Sequence, residues 1–334
     1  MPFRIIIPLL AIAFLFSSCE TKTTNRPNST GKGSEILVVC DKILWDGAVG
    51  HVIREALTSE MEGLPESEPE YNLINVPYSS FSKFLQSHRN VLIVEIKPEY
   101  ANGAVEARQN TWSRPQRVIK VVAGSDSSFI RVFHKYKPGI KDMFDRNERA
   151  RFSAQNALSR NFEAENILEK DFGIRIIIST DYYKAKQAKD FIWLRKETAE
   201  MSMGLMVYTF PYSDTGLLEA ATILETRNEI TRAHIPGPSA GSYMVVSNKI
   251  IKPISRKVKF NGHYAIETRA LWETYGDFMG GPFINYTVID TSRQRVVAFD
   301  GYVYYPNKEK RNYIRQLEGI IWGAQFVSPS EIKK

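Results

Sequence analysis

Apolar and polar positions alternate in two different rhythms along this chain. In the first half, short apolar runs are separated by stretches with helical spacing. "SEILVVC" (34–40) reads as a buried strand, and "WDGAVGHVIREALTSEM" (45–61) follows with Val49, Val52, Ile53, Ala56 and Leu57 on one helical face. "YNLINVP" and "RNVLIVEI" predict strands flanking a short helical piece near Phe81 to Gln86, and "QRVIKVVAG" predicts another strand. A long helical region is expected over roughly Ile140 to Glu169, carrying Met143, Phe144, Ala154, Ala157, Leu158, Phe162 and Leu168. Strands alternating with helices predict an α/β arrangement for residues 35–170.

The second half, 171–334, changes rhythm. "GIRIIIST", "DFIWLRKE" and "MGLMVYTF" come as strands with little between them, before a helix over about Leu217 to Ala233. In "SRKVKFNGHYAIETRALWE", Asn261 and Gly262 separate two alternating runs; Asn-Gly favours a type I′ turn because both central residues need positive φ. A two-residue loop there sets Arg256 opposite Glu267, an opposite-charge cross-strand pair. "PFINYTVID" and "QRVVAFDGYVYYP" predict a second hairpin, joined around Thr291 to Arg293, and a helix over about Lys308 to Gly323 closes the chain. The expected class is α+β: an N-terminal α/β part, then a mostly antiparallel sheet with packed helices. Gln-Arg-Val recurs at 116–118 and 294–296, which raises an internal duplication as a reading on thin evidence.

The first residues follow neither rhythm. Arg4 precedes an unbroken apolar segment from Ile5 to Phe16, then Ser17, Ser18 and Cys19. That is the plan of a secretory signal peptide, and the run is short of the roughly 20 apolar residues a bilayer-spanning helix needs. Small residues before Cys19 resemble a bacterial lipobox, although Phe16 stands where leucine is usual. The expectation is a signal peptide over 1–18, a lipid on Cys19, and a polar tether over 19–34, "ETKTTNRPNSTGKGSE" from residue 20 on, with the folded part beginning near Glu35. Such a protein is anchored in the cell envelope, on the outer membrane by expectation, facing the periplasm or the surface.

Composition changes the picture little. With 43% hydrophobic and 24% charged residues the chain is an ordinary globular protein. A net charge of +7 spread along 334 residues is too diffuse for a nucleic-acid-binding face. Of the two cysteines, Cys40 is left without a partner once Cys19 is lipidated, and it ends an apolar strand, so a buried thiol acting as a small hydrophobe is expected.

Three segments together carry a resemblance to a known family. The lipobox start, "RALWETYGDFMGGPFINYTVID" and "DGYVYYPNKEKRNYIRQLEGII" resemble uncharacterised lipoproteins of the Bacteroidetes grouped as a domain of unknown function. The resemblance spans nearly the whole mature chain and implies a cell-envelope lipoprotein; it brings no activity and no catalytic residues.

Candidate chemistry is sparse. "GPSAG" (237–241) satisfies the G-x-S-x-G of a nucleophile elbow, which requires a strand before Ser239 and a helix after it. Here a helix precedes and a strand-like run follows, no Asp or Glu lies between 240 and 262, and His263 is the one histidine beyond, so a turn is expected. His51, His88, His134, His234 and His263 are scattered without metal-ligand spacing, and neither a metal nor a cofactor is expected. Glu267, Glu273 and Asp277 form the closest acidic group and read as surface or cross-strand charges. "GDFMGGPF" predicts a tight turn with positive φ at Gly280 leading into a strand at Phe283, or a loop whose bare backbone at Gly280 and Gly281 lets a ligand approach beside Trp272, Tyr275, Phe278, Tyr302 and Tyr304. On the last helix, Ile314, Leu317, Ile320, Ile321 and Ala324 share one side and Lys308, Arg311, Arg315, Glu318 and Trp322 the other. Arg311, Arg315 and Trp322 are therefore a candidate surface for an acidic protein or glycan. The leading expectation is a non-enzymatic envelope binding or assembly protein with a protein or glycan partner; the alternative is an envelope hydrolase acting on glycan or peptide.

Overall fold

A computed structural model describes residues 26–328 and residue 331. Cys19 and the apolar run before it lie outside the described residues. No helix among the described residues is long and apolar enough to cross a membrane.

The first half comprises β1 (Glu35–Val39), α1 (Lys42–Asp46), α2 (Ala48–Leu57), β2 (Asn72–Val76), α3 (Lys83–Gln86), β3 (Asn90–Ile96), β4 (Ala104–Gln109), β5 (Arg117–Ala123) and α4 (Asp126–Asn156). The strands form a sheet in the order β2-β1-β3-β5-β4. Its β1, β2, β3 and β5 pairings are parallel, and only the edge strand β4 runs antiparallel. Parallel strands need covered faces, which explains why β1, β3 and β5 read as continuous apolar runs. The edge strand "AVEARQ" escaped the sequence reading because only Val105 turns inward. The long helix begins 14 residues earlier than expected. Ser125 and Ser128 close a capping box at its start, and the helix continues through Pro138. Proline forfeits one backbone bond there, and Phe129, Val132, Phe133, Ile140 and Phe144, buried against the sheet on both sides of it, hold the helix together.

The segment read as free tether is docked from residue 28. Asn28 and Thr30 form bridges to Arg114 and His88, and the buried Ser34 N–H donates to Glu148 Oε2 at 3.0 Å. With no apolar residue in 26–34, hydrogen bonds rather than burial fix this stretch, and hydropathy gives no sign of those.

The second half comprises α5 (Phe162–Phe172), β6 (Ile174–Arg175), β7 (Tyr183–Ala188), β8 (Phe191–Glu197), β9 (Ser202–Pro211), α6 (Ala220–His234), β10 (Tyr243–Ser247), β11 (Ile254–Phe260), β12 (His263–Tyr275), β13 (Gly280–Asp290), β14 (Arg295–Tyr304), α7 (Arg311–Ile321) and β15 (Gln325–Phe326). Its sheet is antiparallel in the order β10-β12-β13-β14-β9-β8-β7, with β11 also on β12. The expected hairpin is present in its expected register: Arg256 faces Glu267, and Asn261 and Gly262 have φ of 46° and 95°. "GIRIIIST" gives only the two-residue β6, with Ile176 and Ile178 buried as irregular chain.

Alternation along the strands buries both faces of this sheet. Leu194, Leu205, Ile284 and Phe299 meet α5 and α7 on one side; Trp193, Met206, Phe283 and Tyr302 face α6 on the other. Because Ala164, Leu168 and Phe172 of α5 belong to this core, the second half begins before α5 and not at 171. The duplication reading finds no support, since one sheet is largely parallel and the other antiparallel. Gln116 lies just before β5, whereas Gln294 is a turn residue with φ of 50°. The overall class is α+β, as expected.

Candidate functional site

The polar side of α7 does not face solvent. It lies against α4 and residues 66–71, so α7 is wedged between the second sheet and the first half. Gly319 permits the approach: a Cβ there would stand 2.6 Å from Phe152 Cβ and 3.1 Å from the Arg149 carbonyl. The expected partner surface on Arg311 and Arg315 is thereby corrected, since both side chains are buried. Arg311 Nη1 donates to the Pro69 carbonyl, and Arg315 Nη1 donates to Asp145 Oδ1 at 2.8 Å with its guanidinium 4.6 Å from the Tyr71 ring. The positive start of α7 is answered by acids from the first half. Glu68 accepts the backbone N–H groups of Lys310 and Arg311 at 2.6 and 3.0 Å, and Glu66 pairs with Lys310 Nζ at 2.7 Å. Two carboxylates thus sit where the helix dipole favours negative charge, and the helix start needs no acid of its own.

Around this wedge opens a cleft of about 350 Å³ between α4, α7 and the β11–β12 hairpin. Its floor is a chain of ion pairs. Glu267 receives Arg256 at 2.5 Å, Arg269 at 2.9 Å and the Tyr286 hydroxyl at 2.8 Å, and Arg269 also pairs with Glu318. Burial pushes the Glu267 carboxyl up, but the Arg269 and Arg256 guanidinium groups outweigh it and hold the pKa at about 2. Asp145 is likewise held below the usual carboxylate range, with Arg315 and the Tyr71 hydroxyl overcoming its desolvation. Both groups are kept ionised, so neither is a proton donor near neutral pH.

The cleft runs outward into a hollow of about 540 Å³ over the Asn261–Gly262 turn, sharing Asp142, Arg149, Lys259 and Trp322 with it. Trp322, half-buried, is the hinge between the two spaces. The Arg149 guanidinium lies 4.3 Å from its ring centre, while Phe260 and Tyr286 pack on it at 5.0 and 5.7 Å. The hollow's charged lining is Arg146, Arg149 and Lys259 against Asp142 alone, three cations to one carboxylate. Of the expected partner-binding residues, the structure brings Arg315 and Trp322 to this cleft. Asp142, Asp145, Arg146 and Arg149 were missed, although their spacing places all four on one face of a helix.

The remaining candidates lie elsewhere. Gly280 and Gly281 open β13 opposite Glu273 and Trp272. The tight turn precedes them, with positive φ at Gly276 (78°) and not at Gly280. Gly281 is where a side chain would not fit, its Cβ falling 2.0 Å from the Val303 carbonyl oxygen. Trp272 is buried. Ser239 is an exposed turn residue between α6 and β10, as expected, and its hydroxyl donates to Asp277 Oδ2 at 2.5 Å. The three acids near the end of β12 have separate partners: Glu267 is in the cleft, Glu273 binds Lys249 at 2.9 Å, and Asp277 binds Ser239. Among the described residues no group of three or more His, Cys, Asp or Glu side chains is placed to hold a metal ion.

Comparison with known families divides the chain at the same seam. Residues 29–157 match a domain of unknown function (DUF8532), and residues 161–323 match a second domain of unknown function (DUF4837). Together they cover nearly the whole chain and meet between α4 and α5. No curated protein matches. Two solved structures resemble part of it: a mutant of the protein Mog1 (TM-score 0.32, 8% identity, 48% of this chain and 94% of that one) and the Saccharomyces cerevisiae Ran-binding protein Mog1p (0.31, 7%, 47% and 92%). Similarity at that level says nothing about what this chain binds.

Proposed function

We propose that this chain is a non-enzymatic cell-envelope lipoprotein, anchored through Cys19, that holds an acidic segment of a protein partner in the hollow between its two halves. The observation that carries this reading is the three-to-one excess of cations over carboxylates around an open hollow, where Asp142 is the one acid shared by Arg146 and Arg149 and the rest of the cleft's ion pairs close on themselves. Charge complementarity of that kind sets partner choice and encounter rate. A protein segment suits the site better than a glycan, because the Arg149 guanidinium already lies over the Trp322 ring while Phe260 and Tyr286 pack against it, so a stacking sugar would have to displace the arginine. The hydrolase alternative is weakened by the same cleft, where Glu267 and Asp145 are locked as anions by their own arginines. The lipobox-like start and the resemblance to Bacteroidetes lipoproteins support the envelope location.

Two measurements test the reading. Mass spectrometry of the N-terminal peptide from membranes is expected to show a diacylglyceryl adduct on Cys19, and an unmodified cysteine or an intact Met1 terminus would contradict anchoring. Fluorescence anisotropy with a labelled poly-glutamate peptide is expected to show binding that weakens with salt. Arg146→Glu with Lys259→Glu, both at exposed positions, is expected to weaken it by about tenfold or more, as removal of charge-assisted contacts does. Unchanged affinity in that variant would reject the site.

A further inference from the structure

The α6 face of the second sheet holds a separate cavity of about 350 Å³ that shares no lining residue with the cationic hollow. Trp193, Trp272, Tyr302 and Tyr304 wall it, and two loops border it, one through Gly237 between α6 and β10 and one through Met279 between β12 and β13. The indole N–H groups are spent internally: Trp193 donates to the Tyr302 hydroxyl at 3.2 Å and Trp272 to the Val303 carbonyl at 3.3 Å. Absent side chains make the box. A Cβ on Gly204 would stand 2.0 Å from Tyr302 Cε1, so this ring lies across bare β9 backbone. At Gly237 a Cβ would meet Thr274 Cγ2 at 2.4 Å, so the loop after α6 closes directly onto β12. "GPSAG" and "MGGPF", the two glycine-rich stretches prominent in the sequence, both border this cavity.

Its charge content is lopsided. Arg195 is the one charged residue in the lining, its guanidinium 4.9 Å from the Trp193 ring centre. Its Nη2 pairs with Glu197, outside the lining, and its Nε has no hydrogen-bond partner. The other polar side chains are the hydroxyls of Ser202, Thr274, Tyr302 and Tyr304, all able to donate. No carboxylate is present in the lining to receive a cationic ligand, and Arg195 is the one cation there to receive an anionic one. A mostly aromatic pocket with a few convergent polar groups is the usual form of a small-molecule site. We infer that this cavity binds a small organic carboxylate with an apolar ring, the ring lying among the four aromatic side chains and the carboxylate meeting Arg195.

The test is a titration followed by tryptophan fluorescence, with phenylacetate, its neutral counterpart 2-phenylethanol, and acetate, which lacks the ring. Saturable binding of phenylacetate at least about tenfold tighter than either of the other two is expected, the size of one charge-assisted contact. Arg195→Gln, at a half-exposed position, is expected to erase the preference for phenylacetate over 2-phenylethanol. Tyr304→Ala, also half-exposed, is expected to weaken both ring compounds and keep their ratio. Absence of saturable binding, equal affinity for the three compounds, or a preference that survives Arg195→Gln would each overturn the assignment.

Discussion

Cys40 and Glu267 show how far surroundings decide what a side chain does. Cys40, directly after β1, is fully buried, and burial, helped by the negative charge of Asp41, pushes its thiol up to about 12. Thiolate is the reactive form, so iodoacetamide at pH 8 is expected to leave Cys40 unmodified in the folded protein and to alkylate it in denaturant; peptide mass spectrometry distinguishes the two. Glu267 is the opposite case, an acid that burial alone would neutralise and that two arginines keep charged. Its pKa is about 2 in the fold against an ordinary 4.5, so its contribution is fully present above the ordinary value and is lost as pH falls from about 4.5 toward 2. That contribution is about 3 kcal/mol. Denaturant titrations at pH 5 and pH 2.5 are expected to show a larger acid loss in the wild type than in Glu267→Gln; equal losses would mean that the pairing does not favour the ionised form.

At the scale of elements, α7 separates what the sequence shows from what it conceals. Its apolar stripe, Ile314, Leu317, Ile320 and Ile321, was legible from spacing alone and packs on the sheet as expected. Its polar stripe was legible only as polar. Whether this row of cations meets water or acceptors from the first half depends on Glu66, Glu68, the Glu70 carbonyl and Asp145, which lie about 170 to 245 positions away in sequence and follow no local period. The same limit explains the other misses. The edge strand β4 has almost no apolar side to show, and α4 runs past a proline because its contacts are tertiary. The Asn261–Gly262 hairpin was read in register because two adjacent residues dictate it. A consequence follows for α7. Arg311→Ala with Arg315→Ala, harmless on a solvated face, strips partners from the buried Tyr71 and the half-buried Asp145. Breaking a buried pair costs roughly 3–5 kcal/mol, so calorimetry is expected to show a melting temperature lower by about 5–8 °C. An unchanged melting temperature would contradict the wedge.

For the whole molecule, the two halves are held by charge as much as by apolar contact. Acids of the first half close around the cations of α7, and the outer end of the same seam carries Arg146, Arg149 and Lys259, with Asp142 pairing to both arginines and leaving a net positive charge. Exposed cations beside a satisfied ionic floor can be removed without dismantling the fold, which makes the binding proposal separable from stability. The most direct measurement is chemical cross-linking of the full-length protein in its native cells, with partners identified by mass spectrometry for the wild type and for the Arg146→Glu, Lys259→Glu variant. Wild type is expected to be joined through α4 or the β11–β12 hairpin to a protein segment rich in Asp and Glu, and the folded variant to lose this link. Recovery of the same cross-links by the variant would contradict the binding proposal.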